Sequence, residues 1–283
     1  MGVLKVRKRF GQHFLAPEWA QKVARAIDPR PGDVFLEIGP GAGALTLPLA
    51  ASGAPILAVE IDRDLAAHLA ARVPPNVTLM VGDFLTTDVL PFLAGLEPQR
   101  PMGSTDVPRG RRIRAVGNLP YNLSSAILFR LIDLYRRHGV PSDATLMLQR
   151  EVADRLIAKP GVKAYGSLSV SAQLHTGITR LLDLPPGAFR PAPRVRSTVV
   201  RLEFRPPSAR VLDEPFFDRM VRALFSARRK TLANALKQFD PRGPQVLAAS
   251  GLDGRRRPET LPVAEFAKIA ELFRVVPTDP AML

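Results

Sequence analysis

The stretch VFLEIGPGAGALT, Val34 to Thr46, decides how the rest of the chain is read. Its opening residues predict a short buried strand over 33–39, its three glycines a tight turn, and ALTLPLAASG a helix ending near Gly53. Glycine between a strand and a helix lets backbone approach a nucleotide-like ligand closely. The spacing admits two ligands. Gly39, Gly41 and Ala44 satisfy a relaxed dinucleotide pattern, while Glu37, Gly39, Gly41 and Gly43 alternate as they do in S-adenosylmethionine sites.

Working outward, PEWAQKVARAID (17–28) has helical spacing, and APILAVEID, RDLAAHLAARV and VTLMVGDF read as strand, helix and strand. Such alternation predicts a mostly parallel α/β sheet with helices on both faces. Residues 97–114 interrupt it with Pro, Gly and charge, and read as a loop before the strand IRAVGN. ATLMLQREVADRLIA gives a strand then a helix. LSVSAQLHTGITRLLDL and STVVRLEF read as late strands, joined by the ordered loop PPGAFRPAPRV. The character then changes: residues 215–239 read as one amphipathic helix with a basic face, followed by helices near 244–250 and 263–273. Two domains are expected, an α/β domain over 1–205 and a small all-helical domain over 206–283.

The 283 residues carry 40 Lys and Arg against 26 Asp and Glu, a net charge of +14 that favours a polyanionic partner, with nucleic acid leading. The basic residues gather in KVRKRF (5–10), RGRRIR (109–114), SARRKT (226–231) and GRRRPE (254–259). Arg228, Arg229 and Lys230 are expected to contact phosphate, which positions RNA without reading its sequence. With no cysteine, disulfides, thiolate zinc sites and cysteine nucleophiles are excluded. Scattered histidines give no metal-ligand spacing, so no metal is expected. No apolar run reaches the ~18 residues of a membrane span, and a cytoplasmic protein without membrane contact is the simplest expectation.

Glu60 ends the second strand, 21 residues beyond Gly39, where a carboxylate accepts hydrogen bonds from ribose hydroxyls. Asp83 ends the third strand on the same edge; it either takes an adenine amino group or caps the next helix. GNLPYN (117–122) separates the two ligand readings, because hydride transfer has no use for Asn-Leu-Pro-Tyr. Adenine N6 has one: its lone pair is delocalised into the ring, so acceptors holding the amino hydrogens favour its attack on a methyl group. The Asn118 side-chain oxygen and the Pro120 carbonyl are suited to that, with proline fixing the turn, and Tyr121 can stack on a base swung out of its helix. No ionisable general base is needed.

Taken together, RKRFGQHFL (7–15), EIGPGAGALT (37–46), VEIDRDLA (59–66), GDF (82–84), GNLPYNLSS (117–125), LMLQREVADRL (146–156), KAYGSLSV (163–170), PPGAFRPAPRVRSTVVRL (185–202) and RRKTLANAL (228–236) resemble, in order, the small-subunit (16S) ribosomal RNA adenine dimethyltransferases, the KsgA/RsmA family. The resemblance implies a Rossmann-like class I methyltransferase domain and a helical C-terminal domain. It also implies transfer of methyl groups from S-adenosylmethionine to N6 of two adjacent adenosines in a 3′-terminal rRNA hairpin, during maturation of the assembling 30S subunit. By motif it places His13, Leu15, Glu37, Gly39, Gly41, Gly43, Glu60, Asp83 and Asn118 at the cofactor, Asn118, Pro120 and Tyr121 at the reacting adenine, and Phe189 against that base. Many relatives have Asn where this chain has His13; a backbone contact there survives the change and a side-chain amide contact does not. A monomer is expected. Two alternatives remain: the macrolide-resistance methyltransferases that modify large-subunit rRNA, and an assembly factor that keeps the fold without the chemistry.

Overall fold

The computed structural model describes residues 13–95 and 112–277. The basic cluster 5–10, residues 7–12 of the RKRFGQHFL motif and residues 97–111 of the interrupting loop lie outside the described residues.

The elements run β1 (Phe14–Leu15), α1 (Pro17–Ile27), β2 (Asp33–Ile38), α2 (Thr46–Ala50), β3 (Ile56–Glu60), α3 (Arg63–Ala70), β4 (Val77–Val81), α4 (Leu90–Gly95), β5 (Arg112–Asn118), α5 (Ser124–His138), β6 (Asp143–Gln149), α6 (Arg150–Ile157), α7 (Ser167–His175), β7 (Thr176–Leu184), β8 (Phe189–Arg190), β9 (Ser197–Phe204), α8 (Glu214–Ser226), α9 (Leu232–Phe239), α10 (Gly243–Ser250) and α11 (Val263–Val275). They divide into two compact units: one of the described residues up to Ala153 with Thr179–Phe204, the other of Asp154–Ile178 with the described residues from Arg205. The sequence reading cuts the chain once, after 205. The segment 154–178 instead groups with the helical unit, because Tyr165, Val170 and Leu174 are buried in that unit's core with Phe217, Leu224 and Phe266.

In the first unit a seven-stranded sheet runs β4-β3-β2-β5-β6-β9-β7. The strands from β4 to β6 are parallel, as the alternating pattern demands, and β9 returns antiparallel to β6. Strand order reverses between β2 and β5, which makes their carboxyl ends the switch point where open α/β sheets bind ligands. Phe35, Ile56, Ala58 and Val116 on the strands pack with Val23 and Ile27 of α1 and Leu49 of α2 in the core.

A buried ion network closes the opposite edge. The Arg114 guanidinium donates to Asp33 at 2.9 Å, to Asp143 at 2.8 Å, and to the carbonyls of Ile27 and Asp28, at the starts of β2, β5 and β6. Arg112 adds a half-exposed pair with Asp33 at 3.1 Å. These two arginines of the 109–114 cluster therefore serve the fold, whereas the sequence reading counted them toward a nucleic-acid footprint. In GRRRPE, Arg256 is likewise tied down by Glu265, whereas Arg255, paired with neighbouring Asp253, stays exposed.

Two expected elements differ. LSVSAQLHTGITRLLDL is not one strand: its first half is α7 and its second β7. Val170, Ala172 and Leu174 alternate like strand residues, but Val170 and Leu174 also lie four apart and share a helix face in the second core. Nor is 215–239 one helix. It breaks at Ala227–Lys230, and α9 restarts on Thr231, whose hydroxyl accepts the Asn234 N–H, a cap visible in the sequence.

Candidate functional site

At the switch point lies a cavity of about 340 Å³, walled by the ends of β2, β3 and β5 and by the segment around β1. Its lining includes His13, Leu15, Glu37, Gly39, Gly41, Glu60, Asn118, Pro120 and Tyr121, so nine of the sequence-designated residues converge on one space. Backbone conformation explains the glycines. Gly39, Gly41 and Gly43 have φ of +67°, +57° and +85°, a region side chains disfavour. The turn they form aims the Gly41 N–H at Glu60 Oε2, at 2.9 Å. Gly43 does not reach the cavity; a Cβ there would meet Leu69 Cδ1 at 2.4 Å, so its role is the packing of the loop on α3. Gly117, level with Ile38 across the sheet, has no room for a Cβ beside the Ile38 carbonyl at 2.8 Å. That close approach brings Asn118 beside the glycine turn.

Glu60 is 4% exposed. Its second oxygen accepts the Asp62 N–H at 2.9 Å, and burial raises its pKa. The carboxylate thus ties the glycine turn to the start of α3 and keeps lone pairs for hydroxyl donors. Glu37 is deeper. Burial pushes it up to about 7, the Thr46 hydroxyl opposing and the Glu60 charge adding, and its Oε2 has no protein partner. An acid with one unpartnered oxygen in a mostly apolar cavity, beside a carboxylate and a positive-φ glycine turn, fits a cationic nucleoside cofactor such as S-adenosylmethionine.

The acid has a measurable consequence in the ligand-free protein. Between the ordinary glutamate value near 4.5 and about 7, the folded chain keeps a proton that the unfolded chain has lost. Stability attributable to Glu37 therefore falls as pH rises through that window. Glu37→Gln is expected to gain on the wild type between pH 4.5 and 8, by on the order of 2–3 kcal/mol. Thermal unfolding of both proteins across that range checks it, and a constant difference would mean that the carboxyl ionises normally.

Asn118 is held by its nitrogen: Nδ2 donates to the His13 carbonyl at 2.9 Å, leaving the amide oxygen as an acceptor at the cavity wall. This bond to Asn118 uses the His13 backbone, so it does not depend on which side chain stands at position 13. The Pro120 carbonyl accepts the Leu123 N–H at 3.0 Å and retains a second lone pair. Tyr121 is half-buried, its hydroxyl 3.0 Å from Ser197 Oγ and its ring stacked on that of His13 with centroids 5.7 Å apart.

Besides Gly43, three sets of expected site residues are placed away from the cavity or otherwise than expected. Asp83 is not on the cavity wall; its carboxylate accepts the Leu85 N–H at 2.9 Å and caps the turn after β4. Phe189 pairs with Leu15 in a two-stranded β1–β8 ladder and is 1% exposed in the core, so its ring offers no free face to a base. In the second unit, Arg228, Arg229 and Lys230 lie in the turn before α9 and not on a helix. Arg228 is held by Glu259 at 2.7 Å and the Lys163 carbonyl at 2.9 Å, and Lys230 bonds Gln238, while Arg229 is exposed.

Sequence reasoning passed over Ile61, Leu65, Leu123 and Met147, which give the cavity its apolar walls, and Ser197. Position after Glu60 was a signal for Ile61. Nothing local marked Ser197: it reaches the site because β9 runs antiparallel to β6, so its first residue pairs with Gln149 at the carboxyl edge. No described helix is long and apolar enough to cross a membrane.

Among known proteins, the ribosomal RNA small subunit methyltransferase A of Nitrosococcus oceani is 44% identical over 273 residues, covering 95% of this chain and 96% of the relative. The protein of that name from Aromatoleum aromaticum is 42% identical over 94% of this chain and 93% of its own length. Two solved structures share the fold: a dimethyladenosine transferase from Plasmodium falciparum, with TM-score 0.72 at 22% identity over 93% of this chain and 98% of that one, and the 23S rRNA methyltransferase ErmE, with TM-score 0.65 at 24% over 92% and 99%. The family described as ribosomal RNA adenine dimethylase matches residues 3–274. With that match running through both units, this chain belongs to the ribosomal RNA adenine dimethylase family.

Proposed function

We propose that this enzyme transfers methyl groups from S-adenosylmethionine to N6 of two adjacent adenosines in the 3′-terminal hairpin of small-subunit rRNA, acting as a cytoplasmic monomer on the assembling small ribosomal subunit. The orientation of Asn118 carries the reading: with Nδ2 bound to the His13 carbonyl, only the oxygen is left to accept, and an exocyclic amine is what an acceptor at that wall suits. Family membership and the names of the full-length relatives support rRNA, and the small subunit in particular, as the target.

S-adenosylmethionine held there would supply an electrophilic methyl, whose bond to the sulfonium sulfur breaks as the N6–carbon bond forms, the neutral thioether being the leaving group. Glu60 accepts from its ribose hydroxyls while fixing the glycine turn. Glu37, which keeps its proton up to about pH 7 in the ligand-free protein, would ionise against a cationic cofactor, and Ile61 and Leu65 provide an apolar wall. The Asn118 oxygen and the Pro120 carbonyl take the two N6 hydrogens, drawing the nitrogen toward tetrahedral geometry, and the Tyr121 ring stacks on the base. Burial raises the Tyr121 phenol, so its hydroxyl stays protonated. The N6 proton becomes acidic once nitrogen forms its new bond and leaves without a dedicated base.

Labelled methyl transfer to undermethylated small subunits and, separately, to large-subunit rRNA tests the reading. N6,N6-dimethyladenosine confined to small-subunit RNA is expected. Label in large-subunit RNA would move the target, and cofactor binding without label in either RNA would leave an assembly factor.

A further inference from the structure

Tyr121 sits on a turn, where a ring with two free torsions would ordinarily sample several rotamers. Here it is held at two points by residues distant in sequence. Its hydroxyl meets Ser197 Oγ at 3.0 Å, on a serine that is 1% exposed at the start of β9. One ring face is covered by the His13 imidazole, 28° from parallel. That imidazole is itself fixed: a carbonyl only accepts, so His13 Nδ1 carries the hydrogen and donates to the Pro191 carbonyl at 2.7 Å. The β1–β8 ladder holds both ends of that bond.

We propose that His13 and Ser197 are positioning residues that clamp the Tyr121 ring, and that the clamp matters most for the second methyl transfer. This rests on the adenine N6 reading. An unmodified adenine presents two amino hydrogens to the Asn118 oxygen and the Pro120 carbonyl. After one methylation a single hydrogen remains, so one of those bonds is gone and stacking on Tyr121 carries more of the orientation. A ring already immobilised loses no further freedom when the base arrives. The His13 imidazole occupies one face and directs the base to the other.

Two measurements test this, one independent of the reaction. The chain has three tyrosines, so 3-fluorotyrosine labelling gives three fluorine resonances. Ser197→Ala and His13→Ala are each expected to move or broaden the Tyr121 resonance, identified with Tyr121→Phe, while Tyr135 and Tyr165 stay in place. An unmoved Tyr121 signal overturns the clamp whatever the enzyme acts on.

The second measurement follows mono- and dimethyladenosine over time. Ser197→Ala is expected to slow the second transfer by about three- to tenfold, the loss of one hydrogen bond, with a smaller effect on the first, so that monomethyladenosine accumulates. Tyr121→Phe removes the same bond from the other side, and the double variant should be no slower than either single one. His13→Phe, which keeps a stacking ring, should recover part of what His13→Ala loses. Equal slowing of both steps, or additive single effects, overturns the proposal. Absence of methyladenosine with the wild-type protein sinks the adenine reading instead, and leaves the clamp to the fluorine spectra.

Discussion

Replacing Asn118 by alanine is expected to lower methyl transfer by about 10²–10³, the scale on which removing one preorganised polar group from an active site acts. The side chain serves twice. Its oxygen is the acceptor proposed for the N6 hydrogen, and its nitrogen holds the His13 carbonyl, which fixes the amide orientation. Asn118→Asp separates these parts. It keeps an oxygen at the wall but sets a second oxygen against the His13 carbonyl, so both acceptors repel and the side chain must turn away. Asn118→Asp is therefore expected to be as inactive as the alanine variant. Initial rates of methyl transfer, with thermal unfolding as the control for folding, decide it. Activity within tenfold of wild type in Asn118→Ala would mean that the amide does not orient the reacting nitrogen.

Arg114→Met is expected to be the most destabilising of the substitutions considered, by about 3–5 kcal/mol. The Arg114 side chain is 4% exposed, and its partners Asp33 and Asp143 are 1% and 11% exposed. Methionine fills much of the volume but leaves two buried carboxylates without their shared cation. The carbonyls of Ile27 and Asp28, at the end of α1, lose a donor as well. At roughly 2–4 °C per kcal/mol for a unit of this size, the midpoint of thermal unfolding should fall by about 10 °C. Arg112→Met provides the contrast: Arg112 is 49% exposed, solvent already screens its pair with Asp33, and a loss within about 1 kcal/mol is expected. Should the two variants unfold alike, burial of the network would not be what makes Arg114 matter. Removing the whole set, with apolar residues at Asp33, Arg114 and Asp143, should restore much of the loss, since a missing pair costs less than an orphaned charge.

Most of the α/β unit was legible because its signals are local. Apolar runs and turn residues mark the strands from β2 to β6 to within two residues, except that β4 ends at Val81, three residues before the expected Phe84, and the glycine turn, Glu60 and Asn118 are tied to strand ends that the pattern itself locates. Errors arose where two periodicities coincide or where a residue type has two uses. Val170 and Leu174 satisfy both a strand and a helix, and only the second core that buries them selects the helix. Arginine clusters read alike whether they face solvent or a carboxylate; Arg112, Arg114, Arg228, Arg255 and Arg256 proved to have acidic partners, four of them more than eight residues away.

The sequence by itself determined the kind of fold, the edge of the sheet that carries the site, and the residues of the glycine turn and of Asn-Leu-Pro-Tyr, because each depends on neighbours along the chain. Only the tertiary structure decided which of them share a cavity and how they are aimed. It turned Asn118 by a bond to a carbonyl 105 residues away, left Glu37 Oε2 without a partner, closed Phe189 into the core and brought Ser197 to Tyr121 from 76 residues away. Orientation and burial are set by which distant segments pack together, and hydrogen-bond direction follows from what they place within reach.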